Sequence, residues 1–252
     1  MTNVSITGLT PLKSEELPLG VLNKSKESPP VSAIHMGKPL QDLVEIGNLK
    51  LLKAELDEIL EESPISDRVL DGFFISVKKI FNLDFYYMGP SEQVLISSLG
   101  QPIPHNGVAM NTPDTILGSE MLLGIIKTRN HWNLWIVDWK RNVLLTYDPS
   151  RAMERTLLQN IFDFVSVLRY QKQLPCTELS HFDINNFPHT PRQNEDHPHS
   201  CGVYVAIIGL FIALRSQLVM PEPIIFYRRL MLHFILKGSL PHAIIHDHNY
   251  CK

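Results

Sequence analysis

The sequence predicts an α+β fold, a small mixed β-sheet packed by helices, with a cysteine at the N-terminus of a buried helix. Three observations carry this. Segments of helical period alternate with short, strongly apolar runs of strand length. Two of those runs, HWNLWIVDW and NVLLTYD, are separated only by Lys140 and Arg141 and read as an antiparallel hairpin. Finally, a polar, proline-rich stretch ending at Ser200 gives way to Cys201, Gly202 and an apolar run from Val203 to Leu214, which reads as a core helix.

In chain order, residues 1–40 hold Pro11, Pro18, Pro29 and Pro30 among Lys, Glu and Ser without an apolar period. They are expected to form a flexible N-terminal extension to one domain over 41–252. From Leu40 onward Leu43, Val44, Ile46, Leu49, Leu51, Leu52, Leu56 and Ile59 recur at threes and fours. This predicts helix, with Gly47 and Asn48 dividing it into two short ones. Ser66 or Asp67 can cap a helix with Val69, Leu70, Phe73, Phe74, Val77, Ile80 and Phe81 on one face. Residues 98–116 are turn-rich. MLLGIIK (121–127) reads as a strand that bends at Thr128, Arg129 and Asn130 into the hairpin. Residues 155–171 form an amphipathic helix, CTELSHFDI supplies another strand, and residues 221–238 form a terminal helix ended by Gly238. Arg228 and Arg229 are expected on its solvated face.

The chain has 252 residues, 44% hydrophobic and 19% charged, the balance of a globular domain with a real core. A net charge of -3 gives no reason to expect a nucleic-acid partner. Val203 to Leu214 is shorter than the roughly 18 residues a membrane span needs. The first residues carry no signal-peptide pattern. Three widely spaced cysteines, Cys176, Cys201 and Cys251, form no disulfide framework. The expectation is an intracellular protein of cytoplasm or nucleus, acting as a monomer away from membranes.

A thiol in the first turn of a helix meets unpaired backbone N–H groups and the positive dipole end, which favour the thiolate. If the hairpin turn centres on Trp139–Lys140, His131 falls opposite Asp148 at the open end. An imidazole oriented by a carboxylate is the activating half of a nucleophilic triad. His197, His199 and Cys201 alternate, but zinc there would quench the candidate thiol, and the cluster of His242, His246, His248 and Cys251 lacks a zinc-ligand pattern. No metal or other cofactor is expected.

His131-Trp132-Asn133-Leu134, Tyr147-Asp148-Pro149-Ser150, Gln193 and Ser200-Cys201-Gly202, in that order, resemble the signature of the ubiquitin-like-protein-specific cysteine proteases. That family contains the SUMO proteases and shares its fold with the adenovirus-type endopeptidase. The resemblance covers roughly residues 67–237 and implies a papain-like fold. Implied roles are Cys201 as nucleophile, His131 as base, Asp148 as its orienting group, and Gln193 with the Cys201 N–H as oxyanion donors. Trp132, Asn194, Gly202 and Phe73 are assigned to the substrate side.

Three departures stand out. The segment from Gln193 to Cys201 is longer by two residues, which brings Asn194 in as a substitute for Gln193. Ser200 replaces an aspartate. The early tryptophan that clamps the modifier's Gly-Gly tail has only Phe73 or Phe74 in its region. The implied activity is thiol isopeptidase or precursor-processing protease, with a ubiquitin-like modifier or its conjugate as partner. A YopJ-type acetyltransferase and an inactive modifier-binding module are the alternatives; no basic cluster argues for an acetyl-CoA site.

Overall fold

The computed structural model describes residues 43–93, 96, 114–174, 178–187, 190–193, 196–216, 218, 220 and 222–239. The expected extension over 1–40, the turn-rich 98–113, Asn194, Cys176 and the C-terminal His/Cys cluster lie outside these residues.

The described chain opens on a hairpin, where the sequence pattern predicts helix. β1 (Leu43–Ile46) pairs antiparallel with β2 (Leu49–Leu52). The apolar positions fit both periods, but Gly47 takes φ +60° and closes a two-residue turn. Alternation then carries Val44, Ile46 and Leu51 inward. A Cβ built on Gly47 meets nothing within 4 Å, so Gly47→Ala tests backbone conformation alone. It is expected to cost about 1 kcal/mol, read from the urea midpoint; a neutral result would mean that the turn does not need its left-handed residue.

α1 (Lys53–Leu60) and α2 (Asp67–Phe81) follow. Ser66 takes the N-cap position of α2, and Asn82 ends it in the left-handed conformation. Val69, Leu70, Phe73, Phe74 and Val77 form the buried face; Phe81 is exposed. β3 (Phe85–Met88) was not anticipated, being four residues without alternation. The short α3 (Asp114–Gly118) precedes β4 (Met121–Thr128), β5 (His131–Asp138) and β6 (Val143–Tyr147). Then come α4 (Arg155–Gln171), β7 (Ser180–Asp183), α5 (Cys201–Ala213) and α6 (Ile224–Ser239).

The main sheet has order β3-β4-β5-β6-β7, with an antiparallel centre and a parallel strand at each edge. It is the expected small mixed sheet in an α+β fold. One face, through Leu123, Trp132, Leu134 and Ile136, packs on α2, α5, α6 and the hairpin. The other, through Leu122, Trp135 and Val137, packs on α4. Cys201 to Leu210 are buried all round, as expected for a helix without a polar face.

α6 runs through Gly238 rather than ending there. A Cβ at Gly238 would lie 2.4 Å from Ser76 Oγ, so this glycine lets α6 approach α2. No helix among the described residues is long and apolar enough to cross a membrane.

Candidate active site

The start of β5 and the end of β6 lie at the same end of the sheet, opposite the β5–β6 turn, and carry His131 and Asp148 there. Leu134 pairs with Tyr147 and Asp138 with Val143, two positions from the register expected of a turn at Trp139–Lys140. The connection is longer, running from Trp139 to Asn142 with Asn142 at φ +55°. His131 and Asp148 therefore sit diagonally across the strand ends, a separation long side chains bridge. His131 Nε2 lies 2.7 Å from Asp148 Oδ1.

Asp148 is 2% exposed. Its Oδ1 also accepts from Ser150 N at 2.9 Å, Ser150 Oγ at 2.9 Å and Arg151 N at 3.2 Å. These bonds fold Asp-Pro-Ser-Arg into an Asx-type turn that fixes the carboxylate before it meets the imidazole. Burial opposes its ionisation, but the hydrogen bonds from His131 and Ser150 outweigh burial and hold the carboxyl below its usual range.

With Nε2 committed to Asp148, Nδ1 is the His131 nitrogen left for Cys201, whose thiol lies close enough to the ring for each group to shift the other's titration. The Asp148 bond, then the Cys201 bond, raise the His131 pKa to about 9. Cys201 is 5% exposed. Burial pushes its thiol up, yet His131 and the backbone N–H groups of Trp132 and Gly202 pull it further down, leaving it below an ordinary cysteine. The two shifts, His131 up and Cys201 down, both favour the thiolate–imidazolium pair.

Ser200 holds the N-cap position of α5 without capping through its side chain. The Gly202 N–H in the first turn bonds to sulfur instead. A Cβ on Gly202 would lie 2.7 Å from Ile65 Cβ and 3.2 Å from Trp132 Cδ1, so its role here is close packing, not contact with substrate. Trp132 is also buried, donating Nε1–H to Ile65 O at 3.0 Å while Lys127 Nζ sits 4.8 Å from its ring centroid. It forms a wall behind the site and presents no free face to a ligand.

Gln193 lies on the loop leading to Cys201, next to the Asp148 turn. Its backbone N–H donates to Pro149 O at 2.8 Å. Tyr147 Oη donates to Pro191 O at 2.7 Å, which pins the same loop. The Gln193 side chain turns back on its own loop: Nε2 donates to His197 O at 2.9 Å and Pro198 O at 2.6 Å. Both amide hydrogens are thereby committed within the loop, and donation to an oxyanion requires their release.

Phe73 is corrected outright. It is fully buried among Phe74 and Phe234, at ring-centroid distances of 5.1 and 6.2 Å, and cannot clamp a substrate. Phe74 is equally buried and stacks on Tyr87.

No protein-family model and no curated protein sequence matches this chain. Solved structures do. The SUMO protease Ulp1 with its catalytic cysteine oxidised to a sulfinic acid is 15% identical, with a TM-score of 0.60 over 83% of this chain and 93% of that one. The Ulp1 protease domain in complex with Smt3, the yeast ortholog of SUMO, is 15% identical, with a TM-score of 0.59 over 82% and 92%. The Ulp1-like SUMO protease catalytic domain of Chaetomium thermophilum is 16% identical, with a TM-score of 0.60 over 84% and 89%. This is the Ulp1 protease fold.

Within that fold the structure sets Asp148 against His131 and His131 beside Cys201. The partners that sequence reading missed are Ser150, the Arg151 N–H and the Ile65 carbonyl. Only the turn-forming string Asp-Pro-Ser carried a local signal for any of them. Arg228 was misread as solvated: it is fully buried behind Ser200. His131 opens on a surface groove of about 410 Å³ lined by Thr128, Arg129, Arg151, Ala152 and Glu154. Among the described residues no cluster of His, Cys, Asp and Glu is placed to hold a metal ion.

Proposed function

We propose that the protein is a thiol isopeptidase that cleaves after the C-terminal glycine of a ubiquitin-like modifier. The observation that carries the reading is the line from Asp148 through His131 to Cys201 at the tip of a buried helix. The fold shared with SUMO proteases supports this choice of substrate class.

In this reading the Cys201 thiolate attacks the glycine carbonyl and the His131 imidazolium gives its proton to the departing amine. A water molecule then hydrolyses the thioester, with His131 taking up the water's proton. Asp148 keeps the ring oriented and favours its charged form. The Cys201 N–H, at the first position of the helix, faces the developing oxyanion. Near burial of the sulfur favours a slim chain with no side chain before the scissile bond. The groove beside His131 takes the departing side.

A modifier-binding protein without turnover is the rival, and the folded-back Gln193 amide is what favours it. The deciding experiment is reaction with a panel of ubiquitin-like modifiers carrying a C-terminal thiol-reactive group, with Cys201→Ala as control. A covalent adduct lost in Cys201→Ala is expected. If no modifier reacts while iodoacetamide labels Cys201, the isopeptidase reading fails; modifier binding without an adduct would then support the rival.

A further inference from the structure

Arg228 lies on α6 with no exposed surface. Its Nη1 donates to Glu58 O at 3.2 Å, Ile59 O at 3.4 Å and Ser63 O at 3.0 Å. Its Nη2 donates to His199 O at 3.1 Å and Ser200 Oγ at 3.3 Å. Among the described residues no carboxylate makes an ion pair with it. Arginine is almost never fully buried without a charged partner, because carbonyl dipoles recover only part of its lost hydration.

The placement of those partners gives this charge a use. His199 and Ser200 immediately precede the nucleophile. Glu58, Ile59 and Ser63 belong to the segment that continues to Ile65, against which Gly202 and Trp132 pack. One guanidinium fork thus ties together the two chain segments that meet at Cys201. The charged or titratable groups around it are Glu58 and Glu62 from α1 and its following turn, His199 from the loop, Cys201 from α5 and Arg229 on its own helix. Burial weakens the guanidinium's hold on its proton while Glu62 and Cys201 strengthen it, and a guanidinium remains charged throughout.

We propose that Arg228 is a positioning residue for Cys201, fixing the turn that starts its helix and setting a permanent positive charge against Ser200, the residue before it. The proposal rests on Cys201 being the nucleophile but not on what it cleaves. A purely structural role would show as lost stability with no change in the titration of Cys201, since Arg228→Met leaves its buried carbonyl partners without a donor.

The test is the pH dependence of Cys201 alkylation by iodoacetamide in the full chain, with the site read by peptide mass spectrometry and folding by circular dichroism. Arg228→Met is expected to raise the midpoint of thiolate formation by about one pH unit and to slow alkylation at neutral pH by up to about tenfold. Arg228→Lys keeps the charge but not the fork. It is expected to hold the parental midpoint and lower the plateau rate severalfold.

A folded Arg228→Met protein with the parental midpoint overturns the electrostatic role. An Arg228→Lys protein with the parental plateau rate overturns the positioning role. If Arg228→Met does not fold, Arg228→Gln, which retains a donor for the carbonyls, is read in its place. Alkylation needs no modifier, so failure here is distinguishable from failure of the isopeptidase reading.

Discussion

In the proposed isopeptidase, Asp148→Ala is expected to lower kcat/KM on the reactive modifier's conjugate by about 10⁴-fold, the scale seen when the orienting member of a nucleophilic triad is removed. The change deletes the acceptor of four hydrogen bonds, so His131 loses both its orientation and the charge that stabilises its protonated form. Asp148→Asn separates these effects. An amide oxygen can still accept from His131 and Ser150, but the negative charge is gone.

The reactive ion pair exists above the lowered pKa of Cys201 and below the His131 value of about 9. Removing the Asp148 charge lets the His131 pKa fall toward its ordinary value, so the alkaline limb of the rate profile moves to lower pH. A less stable imidazolium also raises the Cys201 pKa, so the acid limb moves up. Asp148→Asn should therefore narrow the profile from both sides while losing less rate at its optimum than Asp148→Ala. An alkaline limb that stays near pH 9 in Asp148→Asn would show that Asp148 does not set the His131 charge.

Gly124→Ala is expected to destabilise the fold by about 3 kcal/mol, the upper end of ordinary overpacking. Gly124 on β4 pairs with Trp135 on β5, and the indole lies over the glycine. A Cβ would fall 2.1 Å from Trp135 Cε2 and 2.3 Å from Cζ2. The ring has little room to move, being fully buried and edge-on to Phe164 at 5.9 Å. Urea unfolding followed by tryptophan fluorescence measures the loss. A cost below about 1 kcal/mol would mean that the indole finds another rotamer in this core, contrary to its close packing.

Much of this chain was legible locally. The helices over 67–81 and 155–171 and the strands around 121–148 announce themselves by period, because every residue on a buried face contributes to the same pattern. Cys201 was legible as a helix-start thiol through the change from a polar, proline-rich lead-in to a uniformly apolar run. His131 and Asp148 were placed near one another although the register was wrong by two, because side chains at strand ends also meet diagonally. The hairpin over 43–52 was misread because Val44, Ile46, Leu49 and Leu51 satisfy a helical spacing and a strand alternation broken by one two-residue turn. Only the left-handed Gly47 separates the two.

By itself, then, the sequence determined the α+β class, the order of the central strands and the identity of the three groups that meet at the site. Each is written in short-range pattern or in residue chemistry. The tertiary structure alone decided that Phe73 is core rather than a ligand contact, that Gln193 turns its amide onto its own loop, that β3 and β7 flank the sheet as parallel edge strands, and that Arg228 is buried behind Ser200. Those facts depend on which distant segment covers a side chain or reaches a backbone group. Distant packing leaves no periodic trace near the residue it buries.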